Sequence, residues 1–428
     1  MTGVLPDMLP PRGDRRLLGG GRRLDVAEHL ARFGPLPWAA APGLADLAHR
    51  AGLRGRGGAG FPFGRKLTAV AAGRSRPVVV VNGCEGEPLS RKDHALMDLS
   101  PHLILDGAML CAAALDADDI VLCVHRGDPA GALLRAAAAE RHREPIVASV
   151  VEVPDRYVAS EESSLVNFIN TGTARPTSKP PRPFERGVRG CPTLISNVET
   201  FAHLALIARF GPDWFRDQGT ADSPGTALMT MGGAVRRPGV YELALGVTVE
   251  EAVATAGGTG LAPQAVLIGG YAGGWLPLPR AGAVRLEHAA LRAAGASLGV
   301  ASLTVLPATA CGIVETARIA AYLAGESARQ CGPCMFGLPS VADDLRILAA
   351  GVGRDRALRD RLRRRMTLLA GRGACGHPDG FTRLLDSALR TFGDDVRDHL
   401  HDRPCRGSLL RPVIPVPRAG QPGTGGWR

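Results

Sequence analysis

The stretch Glu326-Ser-Ala-Arg-Gln-Cys-Gly-Pro-Cys-Met-Phe-Gly337 sets two thiols, Cys331 and Cys334, three positions apart. Such a pair can ligate a metal or an iron–sulfur centre, or cycle as a redox dithiol. Dithiol chemistry needs the first cysteine at a helix N-terminus after a strand, where its pKa falls. Here the preceding Thr316–Ala324 reads as helix and no strand–helix–strand unit surrounds the pair, so ligation is the stronger reading. The chain has nine cysteines, and Cys84, Cys111, Cys123, Cys191, Cys311 and Cys405 are scattered. The N-terminus lacks the apolar core and cleavage site of a signal peptide, which argues against a disulfide framework. Cys111 and Cys123, in apolar surroundings, read as buried hydrophobes.

Two other stretches carry groups suited to an anionic ligand. Leu53-Arg-Gly-Arg-Gly-Gly-Ala-Gly-Phe-Pro62 is the densest glycine cluster. Gly55, Gly57 and Gly60 satisfy G-x-G-x-x-G, but the loop follows a helix and runs into Phe61-Pro62, unlike a Rossmann turn. Glycines still let backbone amides approach an anion, and Arg56 and Lys66 would bring positive charge to it; the alternative is a flexible surface loop. Val81-Asn-Gly-Cys-Glu-Gly-Glu-Pro88 stands at the C-terminal end of a strand, where open α/β sheets bind ligands, and offers Asn82, Glu85 and Glu87. A plain acidic turn is the competing reading. Glu161 and Glu162 follow Ser160, a candidate N-cap; first-turn carboxylates gain about 0.3–1 kcal/mol from the helix dipole, so structure alone accounts for them.

The elements that must position these groups read as follows. Val78–Val81, Ile120–Val124 and Ile146–Val153 are apolar strand-like runs, with helices over Gly43–Leu53, Ala95–Leu115 and Gly131–Arg141. This alternation predicts an α/β domain with a largely parallel sheet. A helix carries Glu161 and Glu162, a Pro-rich loop spans Arg175–Pro192, and a helix begins near Val198. From Thr226 the pattern changes to strand–turn–strand, a short helix over Val249–Ala256 and a strand over Ala265–Gly269. From about Gly312 to residue 400 the chain reads as helical. With 428 residues, two to four domains are expected.

The net charge of +10 is concentrated in Arg354–Arg365, where Leu358, Leu362 and Met366 recur at helical spacing. That is the solvated face of an amphipathic helix, suited to an acidic protein partner. Aromatic residues make up only 4% of the chain, leaving few stacking platforms, so nucleic acid is not expected as a ligand. No apolar run is long enough for a membrane span. The expected location is the cytoplasm, with any peripheral membrane association made through partner subunits.

Taken in order, the blocks GLRGRGGAGFPFGRK, VNGCEGEPLSRKD, YVASEESSLVNFI, KPPRPFERGVRGCPTLISNVET, GGAVRRPGVYEL and ESARQCGPCMFG closely resemble one family. It is the flavin-binding NADH-dehydrogenase subunit of respiratory complex I, shared with NAD-linked hydrogenases and formate dehydrogenases. The resemblance runs from about Leu44 to about His399. It implies that Gly55, Arg56, Gly57, Gly58 and Gly60, with Lys66, cradle FMN, helped by Asn82, Glu85, Tyr157, Glu161, Asn197 and Thr200. Phe61, Glu87, Glu162 and Lys179 would face NAD(H). FMN, NAD(H) and an iron–sulfur cluster are the implied cofactors, and iron–sulfur electron-acceptor subunits the implied partners. The implied architecture is an α/β FMN-binding domain, a β-grasp (soluble-ligand-binding) module and an all-helical iron–sulfur bundle. Its expected limits are an N-terminal arm over 1–40, an FMN/NADH domain over 41–222, the module over 223–305, the bundle over 306–402 and a disordered tail over 403–428.

The family's cluster motif reads Glu-Ser-Cys-Gly-x-Cys-x-Pro-Cys with a fourth cysteine some forty residues on. Cys331 and Cys334 match the second and third ligands and Cys375 the fourth, but Ala328 stands at the first. The resemblance therefore implies a 3Fe–4S cluster, or a 4Fe–4S cluster whose odd iron takes water or His377; zinc on three cysteines and His377, or an empty site, are the alternatives. Cys84 replaces a family aspartate and Ser196 an asparagine, while Ala69 and Arg182 stand where aromatic residues sandwich adenine. The expected function is FMN-dependent NADH oxidation with electrons passed through the cluster to a partner. The alternative is a degenerate, non-catalytic relative serving as a flavin-binding or assembly module.

Overall fold

The computed structural model describes residues 16–18, 21–141, 144, 147–351, 357–417 and 426–428. Its first layer is a four-stranded parallel sheet of β1 (Val78–Asn82), β2 (Asp119–His125), β3 (Val147–Val153) and β4 (Thr193–Asn197), in the order β3-β2-β1-β4. Helices α1 (Val26–Phe33), α2 (Leu44–Ala51), α3 (Phe63–Ala71), α4 (Lys92–Leu99), α5 (Pro101–Leu115), α6 (Pro129–Glu140), α7 (Glu162–Thr171) and α8 (Val198–Arg216) surround it. Alternate residues of a strand face opposite sides, and the sheet uses both. Val79, Val81, Ile120, Leu122 and Val124 join the core under α2, α5 and α8. Val78, Val80, Val121 and Cys123 pack with Leu165 of α7 on the other side.

Topology marks the place for a ligand. From β1 the chain moves outward to β2 and β3, and β4 then returns to the other flank of β1, pairing Asn82 with Asn197 at its last register position. The reversal of direction between β1 and β4 opens a crevice at the carboxyl ends of those strands.

The second layer is a five-stranded mixed sheet of β5 (Thr226–Gly233), β6 (Gly239–Ala244), β7 (Pro263–Ile268), β8 (Gly274–Pro277) and β9 (Ser302–Pro307), ordered β6-β5-β9-β7-β8. Only the β5–β9 pair is parallel. Helices α9 (Val249–Thr255) and α10 (His288–Ala293) belong to this part. The chain ends in α11 (Gly312–Gly325), α12 (Leu338–Ala350), α13 (Leu358–Thr367), α14 (His377–Thr391) and α15 (Gly393–Leu400). Their apolar faces share a core with Trp275 and Tyr271 of the second layer.

Several expectations are corrected. The single helix over Ala95–Leu115 is two, α4 and α5, bent by 92°. The break falls before Pro101, whose ring disfavours a helical residue ahead of it. The extended N-terminal arm holds α1, closed by a reciprocal Asp25–Glu28 capping box and packed through Leu24, Phe33 and Leu36. The disordered tail is anchored over 403–417: the Val413 N–H donates to Glu315 Oε1 at 2.6 Å and Ile414 is buried. Residues 1–15, 19–20 and 418–425 of those two expectations, and Arg354–Arg356 of the basic run, lie outside the described residues. Among the described residues no single helix is long and apolar enough to cross a membrane; the bent pair α4–α5 passes that test only jointly, and α5 is almost wholly buried.

Candidate functional site

The glycine loop between α2 and α3 closes on itself, with the Gly55 N–H donating to the Phe61 carbonyl at 2.9 Å. It lies against the junction of β4 and α8, the Arg56 N–H reaching Thr200 Oγ1 at 3.0 Å. A Cβ on Gly57 would come within 3.4 Å of Asn197, and one on Gly60 within 2.4 Å of the His288 ring. Gly58 and Gly60 hold φ of +107° and +62°, a region that side chains other than glycine enter at a cost. Phe61 projects from the loop, 48% exposed.

The residues around this loop divide into two groups. One stays at the crevice. Lys66, on α3, donates to the Ile195 carbonyl at 2.8 Å and lies 3.6 Å from Glu162. Lys179 donates to Glu161 at 2.6 Å and to Glu162 at 2.8 Å. Burial lowers the Lys66 pKa. Burial opposes the charge on Lys179 too, but its two carboxylate partners raise its pKa on balance. Glu162 is depressed despite burial, by Lys66 first and then by Lys179. Glu161 caps α7, accepting from the Ser163 N–H at 2.8 Å. Asn82 ties β1 to this segment by donating to the Ser160 carbonyl at 2.9 Å.

The other group is drawn into the protein. Arg56 was expected to face an anion, but its guanidinium turns inward, donating to the Thr226 carbonyl at 2.9 Å with Glu199 3.8 Å away. Its backbone N–H donates to Thr200 Oγ1 at 3.0 Å. Glu85 is buried too: its carboxylate accepts from the Asp93 N–H (3.1 Å) and His94 N–H (3.2 Å) at the start of α4, and from the His94 ring. Asp128 closes on the same ring, and the two carboxylates raise the His94 pKa to about 10. Glu87 is buried beneath the second sheet, accepting from the Tyr271 N–H at 2.9 Å and the Tyr157 hydroxyl at 3.1 Å. Burial pushes its pKa up to about 7.

Sequence reasoning missed the ionic layer under the loop. Lys92, fully buried, donates to Asp93 (2.7 Å), Glu199 (2.9 Å) and Asn197 (3.2 Å). Asn197 also caps α8 and donates to Asp93 at 2.7 Å. Despite burial, Lys92 holds the Glu199 pKa down to about 2. The Lys92-Asp93 dipeptide ahead of Leu96 and Met97 is the signal available in the sequence.

The second centre lies beside Tyr157. Cys331, Cys334 and Cys375 line one small cavity with Ala328, Gln330, His377, Val158, Pro176 and Ala374. Two segments converge here: the turn before α12 and the start of α14. Burial raises the Cys334 and Cys375 pKa values. The His377 ring is 5.6 Å from that of Tyr157, and its Nε2 lies 2.8 Å from the Leu323 carbonyl. Glu87, Tyr157 and His377 thus form one contiguous chain from the β1 loop to the cysteine cavity.

Comparison with known proteins agrees with this layout. The Nuo51 FMN-binding domain matches residues 48–206, the SLBB domain 228–275, and the NADH-ubiquinone oxidoreductase-F iron–sulfur binding region 315–399. An F subunit of NADH-quinone oxidoreductase from Rhizobium meliloti (strain 1021) is 32% identical over 380 residues, covering 85% of this chain and 90% of the relative. The chain belongs to the family of NADH-quinone oxidoreductase F subunits. The HndC subunit of the NADP-reducing hydrogenase of Solidesulfovibrio fructosivorans is 28% identical over 388 residues, 87% of this chain and 79% of that one. Among solved structures, an air-oxidized NAD+-reducing NiFe hydrogenase matches with TM-score 0.78 and 28% identity, over 92% of this chain and 68% of that one. Its H2-reduced form matches with TM-score 0.76 and 28% identity; this chain, 86% covered, spans 64% of that chain.

Proposed function

We propose that this chain oxidises a reduced nicotinamide by way of bound FMN and delivers the electrons to an iron–sulfur cluster held by Cys331, Cys334 and Cys375. The observation that carries the reading is the convergence of those three thiols on one cavity, joined through His377 and Tyr157 to the loop that follows β1. FMN, when bound, accepts a hydride and releases electrons singly.

The residues present fit both groups. The glycine loop would offer backbone N–H groups to a phosphate, and Lys66 supplies charge nearby. Glu162, held between Lys66 and Lys179, is the carboxylate placed to orient a nicotinamide nucleotide, and the exposed Phe61 ring offers a stacking face. Tyr157 and Tyr271, which both bond Glu87, pack edge-on against Tyr322. At the cavity Ala328 presents a methyl group without a donor atom, so the cluster is one that three thiolates suffice to hold: 3Fe–4S, or 4Fe–4S with a water or His377 on one iron.

Under this reading residues 41–222 are the FMN/NADH domain, 223–305 a β-grasp module and 306–402 a helical iron–sulfur bundle. The acceptor is an iron–sulfur partner protein in a larger assembly, located in the cytoplasm and peripheral to a membrane through its partners. Exposed Met335 and Phe336, next to Cys334, and Arg359, Arg363 and Arg364 on α13 suit a protein partner. Arg182, exposed where the family carries an aromatic residue, favours a phosphate-bearing nucleotide. Ferricyanide reduction by NADH or NADPH tests the proposal: turnover by flavin-loaded protein supports it. No turnover from flavin-loaded protein with either nucleotide supports the second reading, a non-catalytic flavin-binding or assembly module, which Ala328, Ala69, Cys84 and Arg182 favour.

A further inference from the structure

Two cysteines that the sequence scatters, Cys311 and Cys405, meet His399 at the far end of the helical region. One donor atom from each lies within 4.8 Å of the others. Cys311 Sγ is 3.6 Å from His399 Nε2, and Cys311 and His399 are 1% and 2% exposed. Cys405 is half-buried, which leaves an access route from solvent.

We propose that Cys311, His399 and Cys405 form a binding site for a zinc-class divalent cation, separate from the Cys331–Cys334–Cys375 cavity. Zn–S and Zn–N bonds of about 2.3 and 2.1 Å at a tetrahedral angle place sulfur and nitrogen about 3.6 Å apart, which is the separation found here. The histidine is prepared as metal-bound imidazoles usually are: its Nδ1 lies 3.0 Å from the Leu348 carbonyl, so that nitrogen carries the proton and Nε2 keeps its lone pair for the site. The Cys405 N–H, 3.4 Å from Nε2, marks that same lone pair. Cys311 is the N-cap of the 14-residue helix α11, where its sulfur accepts from the Val314 N–H at 3.5 Å.

Two thiolates and an imidazole are the donor set of a borderline-soft metal rather than of magnesium or calcium. The fourth position falls to water. Binding releases the two thiol protons to solvent. The metal would cross-link three separate segments: the start of α11, the end of α15 and the chain beyond it. That chain then lies along α11, where the Arg318 guanidinium donates to the Ile414 carbonyl at 3.0 Å and the Val413 N–H to Glu315. The site would therefore fasten the C-terminal segment to the helices.

The test measures metal in the full-length protein after incubation with zinc and gel filtration. The expected result is about one zinc per chain in the parent and in Cys331→Ser, and none in Cys405→Ser or His399→Gln. Flavin content stays unchanged in Cys405→Ser. Cobalt(II) added to the parent, which needs no variant to fold, should give thiolate charge-transfer absorption that is unaltered in Cys331→Ser. Zinc retained by both Cys405→Ser and His399→Gln, absence of zinc and of the cobalt signal in the parent, or a Cys311–Cys405 disulfide in protein mapped without reductant would each overturn the site.

Discussion

Two carboxylates near the crevice differ in ways that follow from their neighbours. Glu162 is charged because Lys66 and Lys179 hold it so. Charge-assisted hydrogen bonds of this kind contribute about 1.5–3 kcal/mol, so Glu162→Ala should lower kcat/KM for the nicotinamide about 10- to 100-fold while flavin content stays level. Steady-state ferricyanide assays on flavin-quantified protein measure it. Glu87 is the opposite case, buried and protonated more readily, with a pKa of about 7 against its ordinary 4.5. A raised pKa means that its contribution to stability is complete below 4.5 and is lost as pH climbs through 7. Relative to Glu87→Gln, the parent should therefore lose up to about 3 kcal/mol between roughly pH 5 and pH 8. Buried Glu242, also raised to about 7, is common to both proteins and cancels in the difference. Parallel denaturation curves of the two proteins across that range would contradict the assignment. Spacing and motif made both residues visible as candidates, but not their different surroundings: Tyr271 and Tyr157, which bury Glu87, lie 184 and 70 positions away.

Among the elements, the glycine loop and β4 show where local reading succeeds and where it stops. The loop was legible because glycine density reports a backbone requirement directly. Gly60→Val should cut FMN affinity by about 10-fold or more, because a branched side chain at φ +62° adds about 1–2 kcal/mol of strain and meets the His288 ring. Flavin-fluorescence titration would register the loss, and unchanged far-ultraviolet circular dichroism would confine it to the loop. By contrast β4 falls between the Pro-rich loop and the helix near Val198, where the sequence reading assigns no element. Its Thr-Leu-Ile-Ser-Asn run has two aliphatic residues and no alternation, and β1, 115 positions earlier in sequence, makes it a strand. β8, four residues between glycines and a proline, and β9, whose neighbours are β5 and β7, escape local reading for the same reason. Strand identity there is set by tertiary pairing, which overrides local preference. The basic run was legible in its buried stripe of Leu358, Leu362 and Met366. That Arg361 and Arg365 both engage Asp344 of α12 depends on helix packing that no local pattern carries.

For the whole molecule, the order of the parts was legible because each carries its own pattern, while the joints were not. Glu87, Tyr157 and His377, which bring the crevice and the cysteine cavity together, come from three separate regions of the chain. Ala328 offers a test of register across that joint. Ala328→Cys adds a fourth thiol to the cavity and should raise iron content and produce a new cluster signal in electron paramagnetic resonance; iron and spectrum identical to the parent would place residue 328 outside the coordination sphere. The central claim, that one chain holds a flavin beside an iron–sulfur cluster, is tested most directly by flavin, iron and acid-labile sulfide content of protein purified without oxygen. The account predicts yellow-brown protein with about one FMN, about three to four irons and about four acid-labile sulfides per chain. Colourless protein lacking flavin, iron and sulfide would contradict it.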